Sequence, residues 1–247
     1  MAKWEHIDTK RLITSLFAAE RSGRKLTEQI LSQPHEPLLA SLRATFEKAL
    51  RVEEEEEQEL RLICITRLLR AMSVPGTVDL LIDILDTEIP EVRATAGIAI
   101  QEVSTDRMDD VRRAVAEAVE RLPEGSYALS ELPFLILEMD DAAVLDSLRP
   151  FLAHKDPEAV SAAIQALTDY GNPEAIELLQ ALIDDTRDAE LDDDSPESGK
   201  LTIGDLACEA IEALREVEEM LGMSDDDDDD DDDEPVSSEP GNPLLGN

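Results

Sequence analysis

The residue types that support catalysis are few in this chain, and their spacing does not suit it. The three histidines, His6, His35 and His154, form no HExxH motif and no other paired-histidine pattern. Residues 199–202 resemble the end of a phosphate-binding loop, but Asp194 stands where the first glycine of that loop belongs. No GxSxG, GxGxxG or supported Cys–His signature occurs. We therefore expect a non-enzymatic protein with no catalytic residues and no cofactor.

A cluster of acids lies in the segment 184–200, which carries eight Asp and Glu against two Lys and Arg. Its aspartates 192–194 and Glu197 could gather oxygen ligands for a divalent cation. However, the segment lacks the alternating acids and the central glycine of an EF-hand loop. The sequence therefore predicts no dedicated metal site.

The most distinctive chemical feature is a run of nine aspartates at 225–233, which is followed by a short apolar end. Such a segment buries too little apolar surface to fold by itself, so we expect it to be disordered when free. It has three interpretations: a solubilising tail, a mimic of the nucleic-acid backbone that occupies basic patches, and a tethered docking motif. In the third, aspartates steer a partner and two leucines anchor it, similar in kind to the acidic-then-apolar C-termini of bacterial single-strand DNA-binding proteins. The residues assigned to partner binding are Asp225, Asp229, Asp233, Leu244 and Leu245.

The charge of the chain is large and unevenly placed. Its 22 Lys and Arg against 59 Asp and Glu give a net charge of -37. Residues 1–70 carry 12 bases and 12 acids, whereas residues 71–247 carry 10 bases and 47 acids. Because phosphate contacts need a basic face, this charge excludes ordinary direct binding of nucleic acid and favours a basic protein or peptide as the partner. The oligomeric state stays open.

Apolar residues recur at helical spacing from about residue 7 to about residue 221, without the alternation typical of strands. The sequence therefore predicts an all-α chain, and it contains no membrane-spanning run. Asp156-Pro157-Glu158 and Asn172-Pro173-Glu174 are typical helix starts, and Gly171 is a typical helix end. The predicted helices are 8–20, 25–33, 36–51, 53–72, 77–87, 91–103, 108–122, 126–139, 142–153, 157–170, 173–185 and 203–221.

The two cysteines, Cys64 and Cys208, lie 144 positions apart inside apolar helical runs and form no CxxC spacing. We expect both to be small core residues. Near the N-terminus the longest apolar run, 16–19, is too short for the apolar region of a signal peptide. We therefore expect a cytoplasmic protein.

The helical segments repeat along the chain. The apolar pattern of 143–152 recurs in 174–183 at an offset of 31, and that of 77–85 recurs from residue 144 at an offset of 67. Segments 90–100 and 157–167 also match at 67, while Ala163-Ile164 recurs as Ala210-Ile211 at 47, so about 16 residues are inserted in the last pair. The offset of 67 leaves room for one intervening pair, which we place at 111–122 and 127–137 with an interruption at Pro133.

These units resemble HEAT repeats over about residues 75–215: each has an apolar first helix, a short turn, and an alanine-rich second helix. Armadillo-like and PBS-lyase-type short units stay as alternatives, because repeats of 31–36 residues are short for HEAT units. The resemblance implies an α-α superhelix, a HEAT-like solenoid, in which stacked pairs share one core. The expected close-packing positions are Ala94, Ala96, Ala99, Ala162, Ala163, Ala166, Ala210 and Ala213.

The predicted organisation has three parts. Residues 1–74 form N-terminal capping helices or degenerate repeats, residues 75–222 form the repeat array with its acidic insertion 184–200, and residues 223–247 form the disordered acidic tail. The second helices are expected to line the concave face of the array and to present an acidic docking surface there. The residues assigned to that surface are Glu91, Arg93, Glu158, Ser161, Gln165, Glu209, Glu212 and Glu216.

Three functional hypotheses follow from these features. The leading one is a non-enzymatic, cytoplasmic and bacterial scaffold or adaptor that binds a basic protein or peptide. The alternative is an immunity or inhibitor protein that mimics nucleic acid and blocks the basic site of a nuclease toxin. The third, which only the resemblance to short HEAT units suggests, is a lyase-type enzyme.

Overall fold

The computed structural model describes residues 8–139, 143–189 and 201–224. These ranges contain helices and one isolated bridge between Asp188 and Thr202, and within them there is no strand. The all-α prediction is confirmed. The helices are α1 Thr9–Leu31, α2 His35–Ala49, α3 Glu55–Arg70, α4 Thr77–Leu85, α5 Pro90–Arg121, α6 Tyr127–Glu138, α7 Val144–Leu152, α8 Pro157–Tyr170, α9 Ala175–Leu179 with a 3-10 turn Gln180–Leu182, and α10 Ile203–Ser224.

Capping residues begin and end the helices of the array as the sequence predicts. Asp156 Oδ1 accepts a hydrogen bond from the Glu158 N–H at 3.0 Å, and its Oδ2 accepts one from the Gly125 N–H at 2.8 Å. Asp156 therefore caps α8 and also holds the turn between α5 and α6. Gly171 ends α8 with a φ of 67°, a left-handed conformation that favours glycine.

Two predicted boundaries and one predicted interruption are wrong. The segments 8–20 and 25–33 form the single helix α1, and α6 runs on through Pro133. By contrast, the predicted break between 103 and 108 exists inside α5, where Arg107 has a φ of -141°. The Arg107 guanidinium donates to the carbonyls of Met72 at 3.0 Å and Val74 at 3.1 Å, so the turn after α3 holds this kink in place.

Successive helices pack against one another and bury one continuous apolar core that runs from α2 to α10. Phe151 and Leu62 are among its largest fully buried side chains. Most of the predicted close-packing alanines lie in it, but Ala94 is exposed and Ala213 only half-buried, because no helix of the described residues covers them fully. The buried alanines are Ala96, Ala99, Ala162, Ala163, Ala166 and Ala210.

The prediction that both cysteines are core residues is wrong, since Cys64 and Cys208 are exposed. Each follows or precedes residues that point into the core, such as Leu62 and Ile65 around Cys64. A continuous apolar run on a helix must place some of its members on the outer face, because only one face meets the neighbouring helices.

Gly204 marks the tightest junction of the array, where α10 begins against the turn after α9. A Cβ added there would lie 2.6 Å from the Ile183 carbonyl oxygen and 3.0 Å from that of Asp185. Gly23 in α1 is also helical, and a Cβ there would meet nothing within 4 Å. The two glycines therefore differ in packing and resemble each other in helical context.

We expect Gly204→Ala to lower the free energy of unfolding by about 1–3 kcal/mol, because the backbone atoms that the methyl group meets cannot move away cheaply. Gly23→Ala should raise it by about 0.5–1 kcal/mol, because alanine favours an exposed helix interior. Urea unfolding followed by circular dichroism measures both. Equal effects of the two substitutions would contradict the close contact at Gly204.

Candidate functional site

The predicted docking residues of α8 and α10 meet at one groove between these two helices. The groove has a volume of about 310 Å³. Ser161, Gln165 and Glu209, three of the residues that the sequence assigns to the docking surface, lie on it together. The full lining is Ser161, Ile164, Gln165, Thr168 and Asp169 from α8 with Leu206, Glu209, Ala210 and Ala213 from α10. We call it the α8–α10 groove.

The α8–α10 groove combines an apolar floor with an acidic rim. Ile164 and Ala210 are buried and Leu206 is half-buried, whereas the carboxylates of Asp169 and Glu209 are exposed. No Lys or Arg is among the lining residues. Such a surface suits a ligand that has an apolar side and positive charges beside it.

Ser161 gives the α8–α10 groove a second, independent feature. Its side chain is 7% exposed, and its Oγ has no hydrogen-bond partner among the described residues. A buried hydroxyl without a partner costs about 1–3 kcal/mol. A ligand that brings a hydrogen-bonding group to this oxygen would recover part of that cost, so the unpaired hydroxyl points to a binding role.

The other predicted docking residues lie along the same helices or outside the groove. Glu212 and Glu216 continue the acidic side of α10 beyond Glu209 at helical spacing, and all three are exposed. Glu158 is exposed in the first turn of α8, and Glu91 in that of α5. The predicted tail residues Asp225, Asp229, Asp233, Leu244 and Leu245 lie outside the described residues.

Arg93 is held by contacts within the chain. Its guanidinium pairs with Glu131 of α6 and donates to the carbonyls of Thr87 at 3.1 Å and Glu88 at 3.0 Å. It also lies 4.6 Å from the centre of the Tyr127 ring, a cation–π distance. Arg93 therefore joins the turn before α5 to α6, and we leave it out of the proposed docking surface.

A second acidic cleft lies between α2, α3 and the turn after α4, with a volume of about 940 Å³. Its lining includes Glu47, Asp83 and Asp86. Two of these acids have partners within the chain: Asp83 pairs with Arg43 and Arg121, and Asp86 accepts hydrogen bonds from Ser126 and the Ala128 N–H. Because no buried unpaired polar side chain is recorded in its lining, this cleft is the weaker candidate.

Most arginines of the array neutralise acids of the same chain, which leaves the remaining acids in excess at its surface. Within the described residues, ion pairs with carboxylates are formed by Arg43, Arg61, Arg70, Arg93, Arg107, Arg112, Arg113, Arg121, Arg149 and Arg187. Several of these pairs could not be predicted from the sequence, because the arginine and its partner lie 32 to 40 positions apart.

The ion pair of Arg113 and Asp79 shows how such a pair changes the pKa of a carboxyl group. Arg113 donates to both carboxylate oxygens of Asp79, at 3.2 and 2.9 Å. Burial alone would raise the pKa of Asp79, but the hydrogen bonds and charge of Arg113 outweigh it and hold the pKa below its ordinary value. In the same way, hydrogen bonds from Arg187 lower the pKa of Asp185, while Arg187 also donates to the His154 carbonyl at 2.9 Å.

The profile of the HEAT-repeat family matches residues 100–195, from the middle of α5 to beyond α9. This part of the chain contains HEAT repeats. These repeats in general form protein-interaction scaffolds and are typically non-catalytic. α8 lies inside the matched segment and packs against α10, which follows that segment, so the groove lies where the two meet.

The other comparisons add little to this assignment. Among solved structures, an engineered protein from the Northeast Structural Genomics Consortium is 20% identical over 80% of this chain and 90% of its own, with a TM-score of 0.28. That score is too low to establish a shared fold. No curated protein matches the chain.

Two further features concern the described residues as a whole. No group of three or more His, Cys, Asp or Glu is placed there to hold a metal ion. None of the described helices is long and apolar enough to cross a membrane.

We expect Ser161→Ala to leave the free energy of unfolding unchanged or to raise it by up to about 1 kcal/mol, because it removes a buried hydroxyl that has no partner. Ser104→Ala is the matched control, since Ser104 is also buried but donates to the Gln101 carbonyl at 2.7 Å. The control should lower stability by about 1 kcal/mol. Thermal unfolding of both variants measures the difference, and a loss at Ser161 as large as that at Ser104 would show that its hydroxyl is satisfied.

Acid should weaken the contribution of Asp79 to stability. A carboxyl group whose pKa is lowered by folding stabilises the fold above its unfolded pKa of about 3.9 and loses this contribution as the pH falls through the folded value. We expect Asp79→Asn to cost about 1 kcal/mol at neutral pH, a modest value because Arg113 is partly solvated. The difference between the two proteins in urea unfolding should shrink below about pH 3.9. A difference that stays constant down to acid pH would assign the effect to packing.

Proposed function

We propose that this HEAT-repeat chain is a non-enzymatic adaptor that binds a basic protein or peptide through the α8–α10 groove. The observation that carries the proposal is the buried, unpaired hydroxyl of Ser161 beneath a rim of two carboxylates. The apolar floor supplies contact area, the rim supplies attraction for Lys or Arg, and Ser161 lacks a partner that a ligand can provide. The exposed acids Glu212 and Glu216 extend the negative potential along α10.

The acidic segments outside the described residues also favour a positively charged partner. The nine aspartates at 225–233 attract cationic surfaces from beyond the contact distance and so speed encounter. This long-range attraction depends on the charge of the aspartates and requires no fixed structure. A cytoplasmic location and a bacterial origin stay predictions.

The immunity-protein alternative has one observation in its favour. Closely spaced carboxylates at 225–233 resemble the charge density of a nucleic-acid backbone, which a basic nuclease site would recognise. Purifying the protein from its native cell and identifying what elutes only with salt separates the two functions. A nuclease whose activity the protein blocks would support inhibition, and a multiprotein assembly would support the adaptor. The lyase-type alternative stays a prediction from resemblance.

Binding of a defined basic probe tests the docking surface. The probe is a 14-residue amphipathic helical peptide with Leu on one face and Lys on the opposite face. The same peptide with Glu in place of Lys is the negative control. We expect the full-length protein to bind the basic peptide in fluorescence anisotropy, and to bind it more weakly as salt rises. The acidic counterpart should not bind.

Three substitutions with the same change in charge locate the site. Glu209→Lys reverses a rim carboxylate of the α8–α10 groove and should weaken binding about 10-fold, about 1.4 kcal/mol. Glu47→Lys makes the same change in the larger cleft, and Glu91→Lys makes it outside both. These two should weaken binding less than about 3-fold. Equal losses in all three variants would show unspecific charge attraction, and a selective loss in Glu47→Lys would move the site to the larger cleft.

A further inference from the structure

α1 is an amphipathic helix, and no described part of the chain covers the N-terminal half of its apolar side. It has 23 residues and buries none of them. Leu12 is 57% exposed and Leu16 is 59% exposed, as is Leu26. An apolar side this open is typical of a segment that binds a partner. The fully buried core residues begin at Leu42 of α2, and α1 packs against this core with Leu31 at its C-terminal end.

The apolar residues of α1 follow one stripe. Leu12, Leu16 and Ala19 continue to Gly23, Leu26 and Ile30 with alternating steps of four and three. Steps of this size keep side chains on one side of a helix. The second half of the stripe lines a cleft with Cys64, Arg67 and Leu68 of α3, so the part that is open to a partner is the N-terminal end with Leu12 and Leu16.

The charge of α1 is opposite to that of the rest of the protein. The helix carries five Lys and Arg against two Glu, so that it is a basic element in a chain with a net charge of -37. Lys10 and Arg11 adjoin Leu12, and Arg21, Arg24 and Lys25 lie farther along. No ion pair is recorded for these five within the described ranges. α1 thus has the chemistry that the α8–α10 groove suits: an apolar ridge with cations beside it.

The α8–α10 groove lies far from α1 in the order in which the helices pack. α1 packs against α2, the first helices of the stack, whereas α8 and α10, which form the groove, are among its last helices. A membrane surface is disfavoured as the occupant, because anionic lipids attract the basic side of α1 but repel a chain with a net charge of -37. A second copy offers an acidic rim and an apolar floor in one place.

We propose that α1 of one copy docks in the α8–α10 groove of a second copy. The inference rests on the proposed function, since it needs a groove that accepts basic amphipathic segments. Leu12 and Leu16 lie on the apolar floor, the cations beside them face the carboxylates of Asp169 and Glu209, and a cationic N–H supplies the partner that Ser161 lacks. The contact is head-to-tail, so a dimer keeps one free helix on one copy and one free groove on the other, and association does not stop at a dimer. At about 0.15 M salt, charges beyond about 8 Å are screened, so that the contacting charges outweigh the repulsion between whole copies.

Two variants of the full chain with complementary defects test this contact. The helix variant carries Leu12→Gln and Leu16→Gln, and the groove variant carries Asp169→Lys and Glu209→Lys; all four positions are exposed, so folding should be retained. In sedimentation velocity, the average mass of the wild type should rise with concentration. Each variant alone should stay monomeric. Their equimolar mixture should form a 1:1 dimer and nothing larger, because it has one intact helix and one intact groove.

A control variant tests whether the effect is specific to the groove, and two outcomes would overturn the proposal. Glu47→Lys with Glu91→Lys makes the same charge change as the groove variant outside the groove, and it should associate like the wild type. Self-association of the groove variant by itself would show that α1 pairs with another α1 and would overturn the proposal. A mixture that stays monomeric would overturn it too.

The basic Leu and Lys peptide separates failure of this inference from failure of the proposed function. The helix variant keeps its groove intact. If it binds the peptide while no combination of copies associates, the adaptor function stands and the self-docking of α1 is wrong. If the peptide binds no variant while the mixture dimerises, the groove is specific for α1 and the adaptor function is wrong.

Discussion

The structure depends on apolar surface that neighbouring helices share. A single pair of amphipathic helices cannot bury its apolar side, so each pair must lie between others. The core that runs from α2 to α10 is the result of this constraint. At the first described helix of the stack no further described helix covers the apolar side, and α1 exposes apolar residues such as Leu12 and Leu16 there.

Charge is arranged around this core by the same stacking. Arginines of one helix reach carboxylates of a helix one or two positions away in the stack, as Arg113 reaches Asp79 and Arg70 reaches Glu102. Each such pair removes one positive charge from the surface that a partner meets. Since the acids outnumber the bases, the unpaired surplus is negative, and the acidic rim of the α8–α10 groove is part of it.

The sequence predicts the periodic part of this structure well, and the physical reason is local. Helical spacing and capping residues such as Asp156 act within a few positions, and so the starts of α8 and most other helices could be read directly. Features that depend on contacts with a neighbouring helix could not be predicted from the sequence. The exposure of Cys64 depends on which side of α3 meets its neighbours, and the engagement of Arg93 depends on Glu131, which lies 38 positions away.

The groove combines predicted docking residues such as Ser161 and Glu209 with predicted packing positions such as Ala210 and Ala213. Alanine and serine let helices approach closely, as the buried Ala163 and Ala166 show. Where no third helix covers them, the same small side chains leave a depression, and Ser161, Ala210 and Ala213 line it between the larger Ile164 and Leu206. A repeat pattern that continued past α10 would fill this depression with the next helix. Small residues therefore build a core where helices cover them on all sides and leave a groove where, among the described residues, the next helix is missing.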